Sequence, residues 1–454
     1  VIAKLRDNLP EMLWACAILI LALFVRIYRL GEIPSLVAPD GLDTLSTYLQ
    51  WQKYGVTPLL RVNWNGASFT NTIIFGGSVE YFNGALFGLR FPAAIASAVV
   101  VCLVFVSLRV LEVQRVIAGL ISLALATNPV LLNFSREAWE NVFTAIPMLF
   151  WVVGVVWVSR GGELRRPGVI LLILAPALGL CAYHPGKILW AFGLVAPFIF
   201  LRRQLTRKEL WLIPLGAALC SSVPLIGMLY SSYQAFHRIG VVSIFSAASP
   251  WSQFINNLQV SGGALFLLSP SPVWQRYGPN EQPLVSQLFL PFLLLGFLQL
   301  FKSHRSILAL LGALFFIPQL FSTGALDIAR AVHVIPLMYL CIGVGLSAAL
   351  NWCTQAASLR AVMRSPYLRA ASVIPQIGFF AACSLLLFVT YKDLRLYSAW
   401  VESPASKEAR HPAVLVEEFP IWYEEIRASI LSRGAGFDGA GWQEIRRRRQ
   451  LSGP

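Results

Sequence analysis

Charge is what this sequence has least of. Only 13% of its 454 residues are Asp, Glu, Lys or Arg, about half the share found in soluble domains. A water-soluble globule of this length is excluded, because too little polar surface exists to cover it. Histidine is scarcer still, with 5 in the chain and no HxxH or HExxH spacing among them, so a histidine-built metal centre has no sequence support. The 7 cysteines, at positions 16, 102, 181, 220, 341, 353 and 383, fall in apolar runs or at their basic ends, which argues against an extracytoplasmic disulfide framework. Fixed-period repeats and low-complexity segments are absent.

What is present is apolar. The chain is 57% hydrophobic with a mean hydropathy of +0.65, and runs of about 20 apolar residues recur, each long enough to cross about 30 Å of hydrocarbon as a helix. An all-α polytopic membrane protein is expected. The formal charge of +14 would suit nucleic acid, but the basic residues sit in short clusters between apolar runs and not in one patch, so topology explains them and no nucleic-acid partner is expected. Lys4/Arg6, Arg109/Arg115, Arg160/Arg165/Arg166, Arg202/Arg203/Arg207/Lys208, Lys302/His304/Arg305 and Arg360/Arg364/Arg369 share one side if the chain makes about eleven spans, and that side is the cytoplasm. The span centres are expected near Ile20, Val100, Ala124, Trp151, Pro176, Gly193, Ala218, Leu293, Phe315, Leu340 and Leu385. The first run continues into "RIYRLGEIP" and not into a small-residue cleavage site, so it reads as an uncleaved anchor.

The opposite, extracytoplasmic side receives residues 31–88, the Ser135–Asn141 turn, the His184–Lys187 turn, residues 232–284, the turn around Asp327 and Arg330, and the tail from residue 392. Within the first outer loop, Leu42, Leu45, Leu49 and Gln52 recur at helical spacing, as in a helix lying along the interface. Residues 70–88 are apolar but carry Gly76, Gly77 and Gly84, which suggests an interfacial or re-entrant segment broken at the glycines. In the tail, "AVLVEEFPIWYEEIRASILSRG" reads as an amphipathic helix interrupted at Pro420 and ended by Gly434. The expected division is a transmembrane catalytic module over 1–350, a cytoplasmic loop and last span over 351–391, and an extracytoplasmic tail over 392–454.

Four polar clusters on the charge-poor side could carry chemistry. Asp40 and Asp43 follow Pro39 in "VAPDGLDTLS"; helix N-capping is the plain alternative for Asp40. "NFSREAWENVF" holds Arg136 and Glu140, four apart, which on a helix share a face and pair. "LCAYHPGKILW" sets Tyr183, His184 and Lys187 at a turn, where snorkelling is the alternative for the lysine. "GALDIARAVHVIP" places Arg330 at the start of the tenth span, suited to an anionic group. Acids and cations at one membrane boundary suit an amphiphilic anion. A polyprenyl phosphate would lay its tail in lipid and its phosphate against Arg136, Lys187 or Arg330, and transfer of an attached sugar needs a base for the acceptor hydroxyl, the role expected of Asp40.

The stretches "FVRIYRLGEIP", "GLRFPAAIASAVV", "FSREAWENV", "AYHPGKI", "RIGVVSIFSA" and "DIARAVHVIPLMYLCIGVGL" resemble, in this order, the bacterial relatives of protein O-mannosyltransferases and aminoarabinose transferases. These are polytopic glycosyltransferases of the GT-C superfamily, related to glycosyltransferase family 39, and the resemblance runs from about residue 20 to 350. It implies a GT-C fold with interfacial helices in the first outer loop. It also implies an inverting transfer, outside the cytoplasmic membrane, from a polyprenyl-phosphate sugar to a protein, lipid or glycan. An Asp-Glu pair is usual in the family's first outer loop; here it maps onto Asp40 and Gly41, so the Glu is missing and Asp43 is the substitute available. A charged residue before a proline, usual later in that loop, is missing from "NWNGASFTN". Arg136 and Glu140 match the family's Ser-Arg…Glu cluster, Tyr183 and His184 its Tyr-His turn with Lys187 at an Arg position, and Arg330 its Arg near the tenth span.

Competing readings are a degenerate homologue that binds lipid-linked sugar without turnover, which Gly41 favours, and a transporter. The second lacks support, since no half-to-half symmetry or midplane polar groups are found. A divalent cofactor is left open, Asp43 being the nearest second oxygen ligand for Asp40.

Overall fold

The computed structural model describes residues 2–37, 69–230, 243–266, 283–323, 328–362, 374–404 and 419–432, with 44–45, 48–49, 52, 279, 406 and 414–415. Almost all of this is helix. The helices are α1 (Ile2–Ile27), α2 (Phe69–Tyr81), α3 (Leu86–Val110), α4 (Arg115–Ala126), α5 (Pro129–Arg136), α6 (Ala145–Arg160), α7 (Arg165–Leu180) and α8 (Pro185–Ala196). They continue as α9 (Arg207–Cys220), α10 (Ser222–Tyr230), α11 (Pro250–Phe266), α12 (Leu290–Ser303), α13 (Arg305–Leu320), α14 (Ile335–Val362), α15 (Ile374–Trp400) and α16 (Phe419–Ser432).

Among the described residues, five stretches are long and apolar enough to cross a membrane: Leu9–Ile27, Leu86–Val110, Glu140–Arg160, Val332–Gln355 and Pro375–Trp400. The bent pair α4–α5 makes a sixth, turning by 59° at its break. Pro129 starts the second half at N1, where its missing N–H costs nothing, and the Asn128 side chain caps it by accepting from the Leu131 amide at 3.0 Å. Shorter apolar helices cover Pro185–Leu201, Gln287–Ser303 and Arg305–Leu320. All of the expected span centres lie inside helices, although length and apolarity alone return five or six spans and not eleven.

The core runs the length of the bundle. Leu108, Ile117, Ile121, Leu149, Trp151, Leu293, Leu314 and Leu340 belong to one buried cluster. Exposed Leu13, Ile20, Leu215, Leu219, Leu298, Phe380 and Phe388 lie on the outside of the helices, as apolar solvent requires. At one end, ion pairs tie the helix termini: Glu11 to Arg109 and Arg115, both at 2.9 Å, Glu112 to Arg160 at 2.8 Å, and Glu209 to Arg165 at 2.6 Å.

Three local expectations change. Residues 69–81 form one uninterrupted helix through Gly76 and Gly77, and the chain breaks only at Asn83–Gly84, both at positive φ. Gly76 serves close packing instead, since a β-carbon there would run into the Tyr48 ring. In the tail, Pro420 does not interrupt a helix but occupies the first turn of α16, and Val414–Leu415, expected as helix, form a strand. Of the first-loop helix, the described residues 44–45, 48–49 and 52 are helical.

Candidate functional site

The end of the bundle away from those ion pairs collects the end of α1, the start of α3, the corner between α5 and α6, the tip between α7 and α8, the approach to α14, and the end of α15. Each element brings a polar residue to it.

Helix α5 stops at Arg136, because Glu137 is extended with ψ 163°. The expected i,i+4 pair of Arg136 with Glu140 therefore does not form: Glu140 opens a separate 3-10 turn, Glu140–Thr144. Arg136 turns instead to the frayed end of α1. Its Nη1 donates to the carbonyls of Val25 (2.9 Å) and Arg26 (3.0 Å), and its Nη2 to those of Tyr28 (2.7 Å), Arg29 (3.3 Å) and Ile33 (3.1 Å). A helix C-terminus leaves four carbonyls without intrahelical partners, and a buried guanidinium is a strong donor to them. Both terminal nitrogens of Arg136, expected from the sequence to hold a phosphate, are engaged by backbone carbonyls.

Sequence reasoning missed its two companions. Arg90, 1% exposed, donates to Leu30 O at 3.0 Å and Pro34 O at 2.8 Å. Arg26, fully buried, donates from Nε to Ser97 Oγ at 2.8 Å and from Nη1 to Ala22 O at 3.1 Å. The available signal was an arginine embedded in an apolar run, which in a membrane protein is costly unless engaged. Glu137, 1% exposed at the same corner, was also overlooked.

The other sequence-predicted residues come together more closely. Helices α7 and α8 meet where Gly186 lies against the Gly179 carbonyl, a space that no β-carbon could share. The turn between them is thereby held tight, with Tyr183 and His184 ring against ring (centroids 5.1 Å apart) and Lys187 Nζ 3.4 Å from His184 Nδ1. The Glu140 carboxylate lies within electrostatic range of the Lys187 ammonium. One residue on from Glu140, Asn141 Nδ2 donates to the Ala329 carbonyl at 2.6 Å, which fixes the 3-10 turn Ile328–Arg330 against this corner. Thus Glu140, His184, Lys187 and the turn carrying Arg330 share one region, although about 190 residues of sequence separate the outermost of them. Next to Arg330, His333 is fully buried.

Asp40 and Asp43 lie outside the described residues. Their flanks are fixed to the same corner. Val37, Leu45 and Leu49 are buried in a cluster with Phe75, Val79, Leu86, Leu89, Ala138 and two residues of the tail, Phe419 and Tyr423. Tyr48 donates to Glu80 Oε2 at 2.5 Å, and Gln52 also bonds Glu80. Burial and the Glu80 carboxylate push the Tyr48 phenol above its usual range, so it stays a donor.

The tail completes the enclosure. Strands β1 (Leu36–Val37) and β2 (Val414–Leu415) pair antiparallel, Leu36 opposite Leu415 and Val37 opposite Val414. Glu402, just past α15, accepts from the Ser35 amide at 2.9 Å and the Ser35 hydroxyl at 2.7 Å. Leu132, Tyr397, Trp400 and Val401 close a further apolar cluster beneath. Among the described residues no three His, Cys, Asp or Glu side chains gather to hold a metal, and the pair weighed for one, Asp40 and Asp43, is not among them.

No protein-family model matches the chain, and no curated protein matches it by sequence. Solved structures do. ArnT from Cupriavidus metallidurans in the apo state superposes with a TM-score of 0.50 at 14% identity, covering 94% of this chain and 77% of that one. The same protein bound to undecaprenyl phosphate gives 0.48 at 14% identity over 93% and 77%. The Archaeoglobus fulgidus oligosaccharyltransferase tethered to an acceptor peptide gives 0.47 at 12% identity, covering 87% of this chain and 55% of that longer one. The likeness to apo ArnT is one of fold.

Proposed function

We propose that the chain is a membrane glycosyltransferase that moves a sugar from a polyprenyl-phosphate donor to an acceptor hydroxyl on a protein, lipid or glycan, on the extracytoplasmic face of the cytoplasmic membrane. The observation that carries this reading is the gathering of Glu140, His184, Lys187 and the Arg330 turn at one end of an ArnT-like bundle, beside the flanks of the Asp40 segment. The chain would make about eleven spans, with residues 1–350 as the catalytic module, 351–391 as a cytoplasmic loop and last span, and 392–454 as an extracytoplasmic tail.

In this reading Lys187 and Arg330 hold the donor phosphate as charge grows on it, and Glu140, His184 and Tyr183 set the position of Lys187. Asp40 takes the proton of the acceptor hydroxyl as its oxygen attacks the anomeric carbon. The carbon–phosphate-oxygen bond breaks, polyprenyl phosphate leaves with the bonding pair, and the anomeric centre inverts. Asp43 stands in for the family's second acid. Arg136 and Arg90 hold the chain that leads to Asp40, Arg26 ties the end of α1 to Ser97 of α3, and none of the three touches the donor.

The test is turnover of a radiolabelled polyprenyl-phosphate hexose by the purified full chain. Asp40→Asn should lower turnover by about a hundredfold or more, the scale of a lost general base, with donor binding retained. Equal turnover by Asp40→Asn would remove the base from Asp40. Gly41 in the place of the family Glu favours a second reading, a homologue that binds without transfer; donor binding by the unaltered chain with no turnover would establish it.

A further inference from the structure

At the far end of the bundle, a half-open cavity of about 520 Å³ is lined by Arg203, Lys302, His304 and Arg305 on its polar side and by Ile199 and Phe200 on its apolar side. Its size falls within the range of small-ligand sites, about 300–1,000 Å³. No carboxylate is among the lining residues. Glu11, Glu112 and Glu209, at the same end, are already engaged by Arg109, Arg115, Arg160 and Arg165. Three exposed cations therefore line one concavity with no acid among its described lining residues.

The local backbone contributes to the shape. Helix α8 ends in a π-helical turn, Pro197–Leu201, which supplies Ile199, Phe200 and Leu201 to the wall; such turns often mark functional sites. His304 joins α12 to α13, its amide donating to Leu300 O at 2.7 Å, and leaves the start of α13 without a side-chain cap. The first amides of α13 and its positive dipole end thus border the cavity as well. Arg305, which lines the cavity, is braced by its Nε bond to Phe301 O (3.1 Å) and lies 4.9 Å above the Phe301 ring. His304 Nδ1 is buried with no hydrogen-bond partner. Burial and the nearby Arg160 hold this imidazole below its usual range, so it adds a hydrogen-bonding group and not another charge. On α8, its π-helical turn and α12, Val195, Ile199, Leu298 and Phe301 are exposed apolar side chains.

We propose that this cavity is a binding site for the headgroup of an anionic phospholipid. The phosphate would lie among Arg203, Lys302, Arg305 and the α13 N-terminus, and the acyl chains would run along Ile199, Leu298 and Phe301. Cations at the mouth with apolar side chains beyond them match an amphiphile better than a free anion. Basic pockets between transmembrane helices on a cytoplasmic face are known to take such headgroups. The site is distinct from the donor-binding end and does not depend on the transferase reading.

The experiment measures lipid retained by the full chain, using native mass spectrometry after exchange from bilayers of phosphatidylglycerol or phosphatidylcholine. The unaltered chain should retain phosphatidylglycerol over phosphatidylcholine. Arg203→Gln/Lys302→Gln/Arg305→Gln should lower that retention at least about tenfold, the scale of one lost charge-assisted contact to the phosphate. Arg202→Gln/Arg207→Gln/Lys208→Gln removes equal charge from the same end but outside the cavity, and should leave retention unchanged. Equal losses in the two triple variants would overturn the site in favour of diffuse charge. Displacement of phosphatidylglycerol by millimolar inorganic phosphate would overturn the lipid assignment in favour of a free anion. Should the triple variant not fold, Arg305→Gln alone is compared with Arg202→Gln under the same criteria.

Discussion

Arg136 and Lys187 carry the same charge at the same end of the bundle, and their surroundings give them different work. Arg136 donates to carbonyls 103 to 111 residues earlier in the chain, so its loss strips donors from a buried helix end. Arg136→Leu is expected to lower stability by on the order of 3 kcal/mol, since each hydrogen bond to a charged group contributes about 1.5–3. Arg136→Lys should not restore it, because a point-charge ammonium cannot span that set of acceptors. Chemical denaturation in detergent measures both. Lys187→Gln, by contrast, should leave the melting transition in place and raise the donor KM about tenfold or more, the scale of one charge-assisted contact. A fall in stability with unchanged KM would make Lys187 structural. At this scale the sequence singled out Arg136 and Lys187 as costly to keep at a membrane boundary, and passed over Arg26, Arg90 and Glu137. It could not show what Arg136 holds, because backbone carbonyls carry no sequence signal and nothing near Arg136 in the chain names residues 25–33.

Among the elements, the tail and the first outer loop act as one unit. The ladder between Leu36–Val37 and Val414–Leu415 lies immediately before the Asp40 segment, and Glu402 bonds Ser35 twice. Glu402→Gln keeps the shape but weakens both bonds, and should cost the loop about 1–2 kcal/mol. Faster amide exchange over residues 30–37 would register that loss, and turnover should fall with it. Unchanged exchange would separate the tail from the loop. This coupling was unreadable beforehand, since a two-residue strand has no periodicity to detect and its partner is 379 positions away at Leu36↔Leu415. The α2 segment was misjudged for a related reason. Glycines break helices where water competes for the backbone, but Gly76 sits where the Tyr48 ring needs the room, and packing overrides propensity. The long apolar helices were legible throughout, because hydrocarbon demands satisfied backbone and apolar side chains together.

At the scale of the molecule, the two ends differ in how they handle charge. One end balances arginines against Glu11, Glu112 and Glu209 and keeps an acid-free cavity. The other buries Arg26, Arg90 and Arg136 against backbone and leaves Lys187 beside Glu140 and His184. The hydropathy pattern made the basic clusters of the first end visible, but not their acid partners or the cavity. The convergence of separate turns at the second needed the fold. The most direct measurement is photolabelling of the full chain with a polyprenyl phosphate bearing a photoreactive group at the first isoprene, with the adducts mapped by peptide mass spectrometry. Adducts on the peptides containing Tyr183–Lys187 and Ile328–His333, competed away by unlabelled polyprenyl phosphate, are the predicted result. Adducts confined to the opposite end, or spread evenly along the helices, would contradict the account.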